Sequence, residues 1–444
     1  MKLRNVFYVL LSMLSIGSIL VPAHAGGFRV EGSGTEETAS AGAITARSNG
    51  VMSLFVNPAN LGNLGNLKKA KGEAILGLNA FFQRGYYSNI GQSTWNSEKK
   101  TEVEPFGGAL FKFKDRYALA IARATTYHHD FEWDDPNFIG RYLATGQTMQ
   151  VTELTAGGSL KFKEKFAFGL ALRYATADFS CQTVRPKPVF GYETFPDSFY
   201  DYALLAEADA KESGFSAGLH YTPRFGLELA LTYFSSIEFD FEGQHRVKQV
   251  SLLNDDRAVA DFSAFSYSSP MTSYWSIPER ITLAASFKPT VRTRVELDVS
   301  HEGWSKIKAL SIQTMDGNGA PLKLDLGSKW NDIYDISLGA EFRHTPQLKW
   351  LAGLGFHKHI LDKTDLTPGY PVYDRFTASL GLSYLFGNNG ISFAYAYHQY
   401  RDVRVSGQEW TLDVYSDNYI INNSQTGLFE SQRHHLSFAY KRRF

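Results

Sequence analysis

From residue 74 to the last residue the chain repeats one pattern, in which large apolar residues alternate with small or charged ones at a period of two. In 166–174 one face carries Phe166, Phe168, Leu170, Leu172 and Tyr174, and the other Ala167, Gly169, Ala171 and Arg173. Ile336, Leu338, Ala340 and Phe342 alternate in the same way with Ser337, Gly339, Glu341 and Arg343. Successive side chains on a strand point to opposite faces, and a slip of one residue inverts the whole set. The pattern therefore makes strands, not helices, the building unit. Such segments number about fourteen, from 74–84 through 117–128 to 432–444.

A two-faced strand set also describes a soluble sandwich. Two features favour a barrel in a membrane. Tyr117, Tyr174, Tyr233, Tyr384 and Tyr440 sit toward strand ends, as interface girdles do. The connections also alternate in length: short turns near 114–116, 163–165 and 387–390, and long loops near 130–150, 181–210, 243–274 and 404–431. Short periplasmic turns, long extracellular loops and an even strand number are the layout of outer-membrane barrels. The expected fold is all-β: an antiparallel transmembrane β-barrel of about fourteen strands over 73–444, with an N-terminal hatch in its lumen.

The first residues agree with export. Met1, Lys2 and Arg4 precede an apolar run to Val21, and Ala23 and Ala25 fit a small-residue cleavage site, so 1–25 is expected to be a signal peptide. The run is short for a membrane anchor of ~20 residues, and no second apolar run of that length follows. Lys plus Arg and Asp plus Glu both total 45, a balance that argues against a nucleic-acid partner. The single cysteine, Cys181, has no partner for an internal disulfide.

Residues 26–72 precede the first strand and are rich in Gly, Ala, Ser and Asn. A barrel of about fourteen strands has a lumen wider than its own side chains fill. Residues 26–67 are therefore expected to fold inward as a plug. A solvated periplasmic tail is the alternative, but 51–61 is apolar for that role.

Here the sequence resembles the FadL/TodX family of outer-membrane transporters for long-chain fatty acids and other hydrophobic compounds. The resemblance is carried by Gly27-Phe28, by Ala39-Ser40-Ala41-Gly42-Ala43, and above all by Asn57-Pro58-Ala59 followed by Leu61. Ile277-Pro278-Glu279-Arg280, Trp304-Ser305, Trp330-Asn331-Asp332 and Asp374-Arg375-Phe376 extend it through the C-terminal half. The resemblance implies a hatch whose motif is Asn57, Pro58 and Ala59. It also implies uptake of hydrophobic molecules without an energy source, from the extracellular loops to a pocket inside the barrel. Exit in that family is through a gap made by a kink in the third strand. Here that strand, 117–128, holds neither Gly nor Pro, while Gly107-Gly108 and Gly157-Gly158 in flanking strands are candidates for a bulge or for relief of crowding.

Such a cargo needs an apolar landing surface outside the barrel. The loops at 181–210 and 243–274 offer Phe190, Phe195, Phe199, Leu204, Leu252, Phe262 and Phe265, too many large apolar groups for solvated loops that neither pack together nor bind something. A fatty carboxylate would also need a cation. Arg173, Lys288, Arg294 and Arg343 lie on inward-facing positions, where ion pairs with Glu296, Asp298 and Glu341 compete for them. His128-His129-Asp130 invites a metal or proteolytic reading, but neighbours on a strand face opposite ways and a metal site needs three or four ligands. No nucleophile elbow, P-loop or metalloprotease motif occurs, so no catalytic group, metal or cofactor is called for. The partners expected are a fatty acid or another hydrophobic molecule, outer-membrane lipid and lipopolysaccharide, with the chain a monomer. Uptake of aromatic hydrocarbons is the alternative cargo. A general porin, a rim hydrolase and a surface receptor are the alternative functions.

Overall fold

The computed structural model describes residues 29–30, 32–63, 71–89, 94–113, 116–133, 135, 138, 140–141, 144–162, 165–185, 202–223, 225–249, 266–307, 311–325, 330–362, 366, 368–371, 373–405 and 427–444. The expected signal peptide, 1–25, lies outside them. The strands are β1 (Gly72–Asn89), β2 (Thr94–Asn96), β3 (Lys100–Phe113), β4 (Tyr117–Glu132), β5 (Gly146–Phe162), β6 (Phe166–Arg185), β7 (Tyr202–Tyr221), β8 (Leu227–Phe234), β9 (Ile237–Gln249), β10 (Tyr267–Ile277), β11 (Arg280–Phe287), β12 (Thr293–Glu302), β13 (Ser311–Met315), β14 (Pro321–Asp325), β15 (Ile333–Arg343), β16 (Leu348–His357), β17 (Arg375–Phe386), β18 (Asn389–Tyr400), β19 (Val403–Val405) and β20 (Gly427–Arg443). All are in one sheet, and β20 pairs antiparallel with β1 along its whole length, so the sheet closes on itself.

The closed barrel has fourteen strands. β8 with β9, and β10 with β11, each form one wall strand interrupted once. The second interruption falls at Pro278, which has no N–H for the ladder. β2, β13, β14 and β19 are additions at the long-loop end.

The burial pattern is that of a protein in lipid. Leu172 and Leu283 face outward at 73% and 59% exposure, while Glu296 inside is fully covered. Of the girdle tyrosines, Tyr117, Tyr174, Tyr384 and Tyr440 are outward and exposed. An apolar exterior suits hydrocarbon, and closure leaves no unpaired edge there.

Several strands reach further beyond the bilayer than their pattern suggested. β6 and β7 stay paired to Arg185 and Tyr202, inside the expected 181–210 loop. Leu204 is consequently a buried residue of β7 rather than a loop residue. The contrast there is Ala206, Ala208 and Ala210 against Glu207, Asp209 and Lys211, too weak in apolar volume to announce a strand. The other six residues named for ligand capture lie outside the described residues.

Candidate functional site

Residues 29–30 and 32–63 lie against the inward faces of strands around the barrel. Their local structure is tight turns: a helical turn at Thr35–Thr38 and 3-10 turns at Val51–Phe55 and Pro58–Asn60. Asn57 caps the last of these by accepting from the Ala59 N–H at 3.0 Å, and its amide donates to the carbonyls of Thr45 and Leu219. Pro58 at the first helical position loses no hydrogen bond. The motif thus forms a fully buried corner tied both to its own segment and to β7. Val51, Leu54, Phe55 and Leu61 pack on Phe106, Leu110 and the inner alanines 118, 120, 122 and 124, which accounts for the apolar character of that stretch.

The polar half of the contact is carried by barrel carboxylates. Asp298 accepts the N–H groups of Ile44 and Thr45, and Glu296 accepts Ala46 N–H and pairs with Arg47. Glu36 lies between Lys349 at 2.8 Å and Lys441 at 3.1 Å. Burial alone would raise its carboxyl, and the two ammonium groups outweigh that and hold it well below the usual carboxylate range. The expected partners of the inner cations are therefore corrected in part: Glu296 and Asp298 serve the N-terminal segment, so Arg173 pairs with Glu153, and Lys288 and Arg294 with Glu228, while Arg343 pairs with Glu341 as expected.

Toward the long-loop end the interior turns apolar. One cluster joins Tyr127, Phe239, Trp275, Trp304, Trp330 and Tyr370. Trp304 stacks on Trp330 at 5.3 Å and 11°, with Trp275 at 6.2 Å. Where this cluster meets the N-terminal segment stands Arg280, from the Pro278-Glu279-Arg280 motif, a residue that the pattern reading passed over. It is buried, lies 4.3 Å over the Phe234 ring, and lines two 20 Å³ cavities. Among the described residues no carboxylate comes within ion-pair distance of it, and its Nε has no hydrogen-bond partner. Its one bond is from an Nη to the Phe55 carbonyl at 3.4 Å.

The third wall strand does break, without Gly or Pro. β4 bulges at Thr126: Thr125 pairs with Thr152, and Tyr127 with Val151. The Thr126 carbonyl instead accepts Val30 N–H at 2.9 Å from the N-terminal segment. β3 pairs with β4 only from Gly107 to Phe113, so the ladder between them is absent from Phe106 and Ala124 outward. The opening is bridged at its outer end by a backbone bond, from Glu98 N–H to the Glu132 carbonyl at 2.8 Å, and otherwise by side chains: Glu102 to His128, Lys100 to Asp130 at 2.9 Å, and Glu104 to Thr125 at 2.6 Å. Register is unbroken through Gly107-Gly108 and Gly157-Gly158, which are therefore not bulges; a Cβ at any of them would crowd neighbouring strands rather than the N-terminal segment.

Of the two histidines singled out, His128 bridges the opening and His129 serves packing, contacting the Gly369 carbonyl at 2.6 Å. Nearby, His359 Nδ1 accepts Leu361 N–H at 3.1 Å. Burial pushes the His359 imidazole down to about 3, with His129 adding to the effect against the Leu361 bond. An unfolded histidine titrates near ~6.5, so this packing is at full strength above that value and weakens as pH falls toward 3. Amide exchange at Ile360 and Leu361, corrected for intrinsic rate, is expected to quicken over that window. A His359→Gln variant should lose the pH dependence; an unchanged slope would assign it elsewhere.

A closed β-barrel with an apolar exterior, an aromatic-lined interior and an opening in its wall is a protein of the bacterial outer membrane, and its family relations are to transport proteins rather than enzymes. The chain belongs to the outer membrane protein transport protein family that groups OMPP1, FadL and TodX, whose model matches residues 18–444. Its fold is similar to that of a Pseudomonas aeruginosa FadL homologue, with TM-score 0.74 and 18% identity over 94% of this chain and 99% of the other. The Pseudomonas putida toluene transporter TodX gives 0.71 and 14% over 93% and 99%. In sequence it is 20% identical over 292 residues to a Salmonella typhi long-chain fatty acid transport protein, 62% of this chain and 64% of that one. It is 25% identical over 180 residues to a Pasteurella multocida 47 kDa outer membrane protein, 40% of each chain. The chain thus spans less than two thirds of either sequence relative.

Proposed function

We propose that this protein takes up long-chain fatty acids. Phe190, Phe195, Phe199, Leu252, Phe262 and Phe265 make the first apolar contact, and the chain then enters the tryptophan-lined interior. Its carboxylate meets Arg280, and the segment holding Asn57, Pro58 and Ala59 acts as the hatch. The cargo leaves sideways between β3 and β4, into a membrane of lipid and lipopolysaccharide. The cargoes for which the relatives are named differ, fatty acid in one and toluene in another, so the interior must decide. The observation that carries the reading is Arg280, a buried guanidinium without a carboxylate partner among the described residues, at the foot of an apolar cluster. Burying a lone cation is costly by several kcal/mol, and an incoming carboxylate removes that cost while its chain buries at ~0.8 kcal/mol per CH₂.

The test is a titration of the detergent-folded protein with a fluorescent long-chain fatty acid. Arg280→Gln is expected to weaken binding about 10- to 100-fold, as loss of a charge-assisted contact of ~1.5–3 kcal/mol implies. The alcohol of equal chain length should bind both forms alike. Equal affinity of both forms for the acid would remove the carboxylate from the reading. The Trp304–Trp330 stack favours a second cargo, a small aromatic hydrocarbon. Displacement of the probe by toluene, indifferent to Arg280→Gln, would select it.

A further inference from the structure

At the short-turn end, beneath the N-terminal segment, lies a cavity of 340 Å³ that the proposed route for cargo does not use. Its lining is strongly basic. Eight lysine or arginine side chains face it, Lys112, Lys161, Arg294 and Arg343 among them, against the two carboxylates Glu228 and Glu341. Those two are already shared. Glu228 serves Lys288 and Arg294, and Glu341 serves Arg47, Arg343 and Lys349. The carboxylates behind the lining are taken as well: Glu36 by Lys349 and Lys441, Glu73 by Arg443, and Glu296 by Arg47. Among the described residues, the eight lining cations thus have five carboxylates in reach. Three lining nitrogens have no hydrogen-bond partner among the described residues: Arg47 Nε, which still forms an ion pair with Glu296 at 3.3 Å, Arg294 Nε, and Nε2 of His220, whose residue is about nine-tenths buried with 9% exposure. Around His220 stand Glu228, Arg294, Lys288 and Lys161.

We propose that this cavity is an oxyanion site, holding a phosphate or carboxylate group at the periplasmic mouth of the barrel. Convergent cations in a recess with low-dielectric walls focus a positive field and concentrate small anions. The guanidinium of Arg294 offers a planar fork suited to such oxygens, and the free imidazole nitrogen of His220 supplies a further directional contact. The group has two sources with one chemistry: a soluble anion of the periplasm, or the head of a phospholipid in the leaflet that the mouth adjoins.

The test is calorimetric titration of the full chain, folded in non-ionic detergent, at ~0.15 M salt, where diffuse surface attraction is screened beyond ~8 Å. The probes are inorganic pyrophosphate, hexanoate and a short-chain phosphatidylglycerol. Saturable binding of at least one is expected, weakened about tenfold or more by His220→Gln with Arg294→Gln. The exposed rim variant Arg292→Gln should leave it unchanged. Migration on an unheated gel verifies the closed barrel, and the single His220→Gln variant serves if the double variant does not fold. Binding of pyrophosphate or hexanoate assigns a soluble anion, and binding of the lipid alone assigns a headgroup. No saturable binding of any probe overturns the proposal. So does an equal loss in Arg292→Gln, which would make the attraction a property of the rim as a whole.

Discussion

Alanine at both Gly169 and Gly218 is expected to lift the Asn57-Pro58-Ala59 corner off the wall and turn a closed channel into a leaky one. A Cβ on Gly169, in β6, would stand 2.2 Å from the Pro58 carbonyl carbon, and one on Gly218, in β7, 2.0 Å from Asn57 Oδ1. Neither neighbour has room to give, because Asn57 is fully buried and its amide is held by two carbonyls. Overpacking of this kind costs about 1–3 kcal/mol per site, and each ~1.4 kcal/mol shifts the docked population tenfold. The two sites press on one corner, so their sum is an upper bound. Planar-bilayer conductance and sensitivity of expressing cells to a large antibiotic should both rise. Gly146→Ala is the control, since its Cβ would meet nothing nearer than 3.7 Å. Conductance equal to that of the parent protein would mean that the corner is not what closes the lumen.

Joining β3 to β4 across their opening is expected to abolish fatty-acid uptake. Cysteines in place of Glu102 and His128, whose side chains meet across the opening, would be linked by a short bis-thiol reagent in a Cys181→Ala background. The linked protein should lose at least tenfold of its uptake rate into vesicles, as restricting a gating element can. A monofunctional reagent of equal size should leave most of it. Undiminished uptake through the linked protein would move the exit away from this seam. Where the ladder is missing the seam depends mainly on side chains, so lesser changes matter too. Lys100→Ala removes contacts to both Asp130 and Glu132 and should raise the basal opening rate without changing fatty-acid affinity.

The barrel was legible because its signal is local. Alternation at Ile336, Leu338 and Phe342, for example, needs only neighbours in sequence to be read, and the structure places all three outward. The opening was not legible, because its cause is distant. Thr126 bulges without Gly or Pro, and its carbonyl takes Val30, a residue from the far side of two wall strands, β1 and β3. Arg280 was missed for a similar reason. Its motif was visible, but that no carboxylate among the described residues comes within ion-pair distance of it is a property of strands brought together by closure. The paired glycines misled, whereas lone inner-face glycines such as Gly169, Gly218 and Gly353 mark where the N-terminal segment presses on the wall. Their signal was present as Gly on the polar face of an alternating strand.

The span of these contacts along the chain sets an order of assembly. Glu36 reaches Lys441 across 405 positions, and Ala46 reaches Glu296 across 250. Contacts so remote form only after the intervening chain has been brought together, and the partner of Glu36 lies on the strand that closes the ring. The first part of the mature chain to emerge is therefore the last to find its seat. Until the final strand arrives it must be kept from pairing with anything else, and the nascent ring stands empty meanwhile.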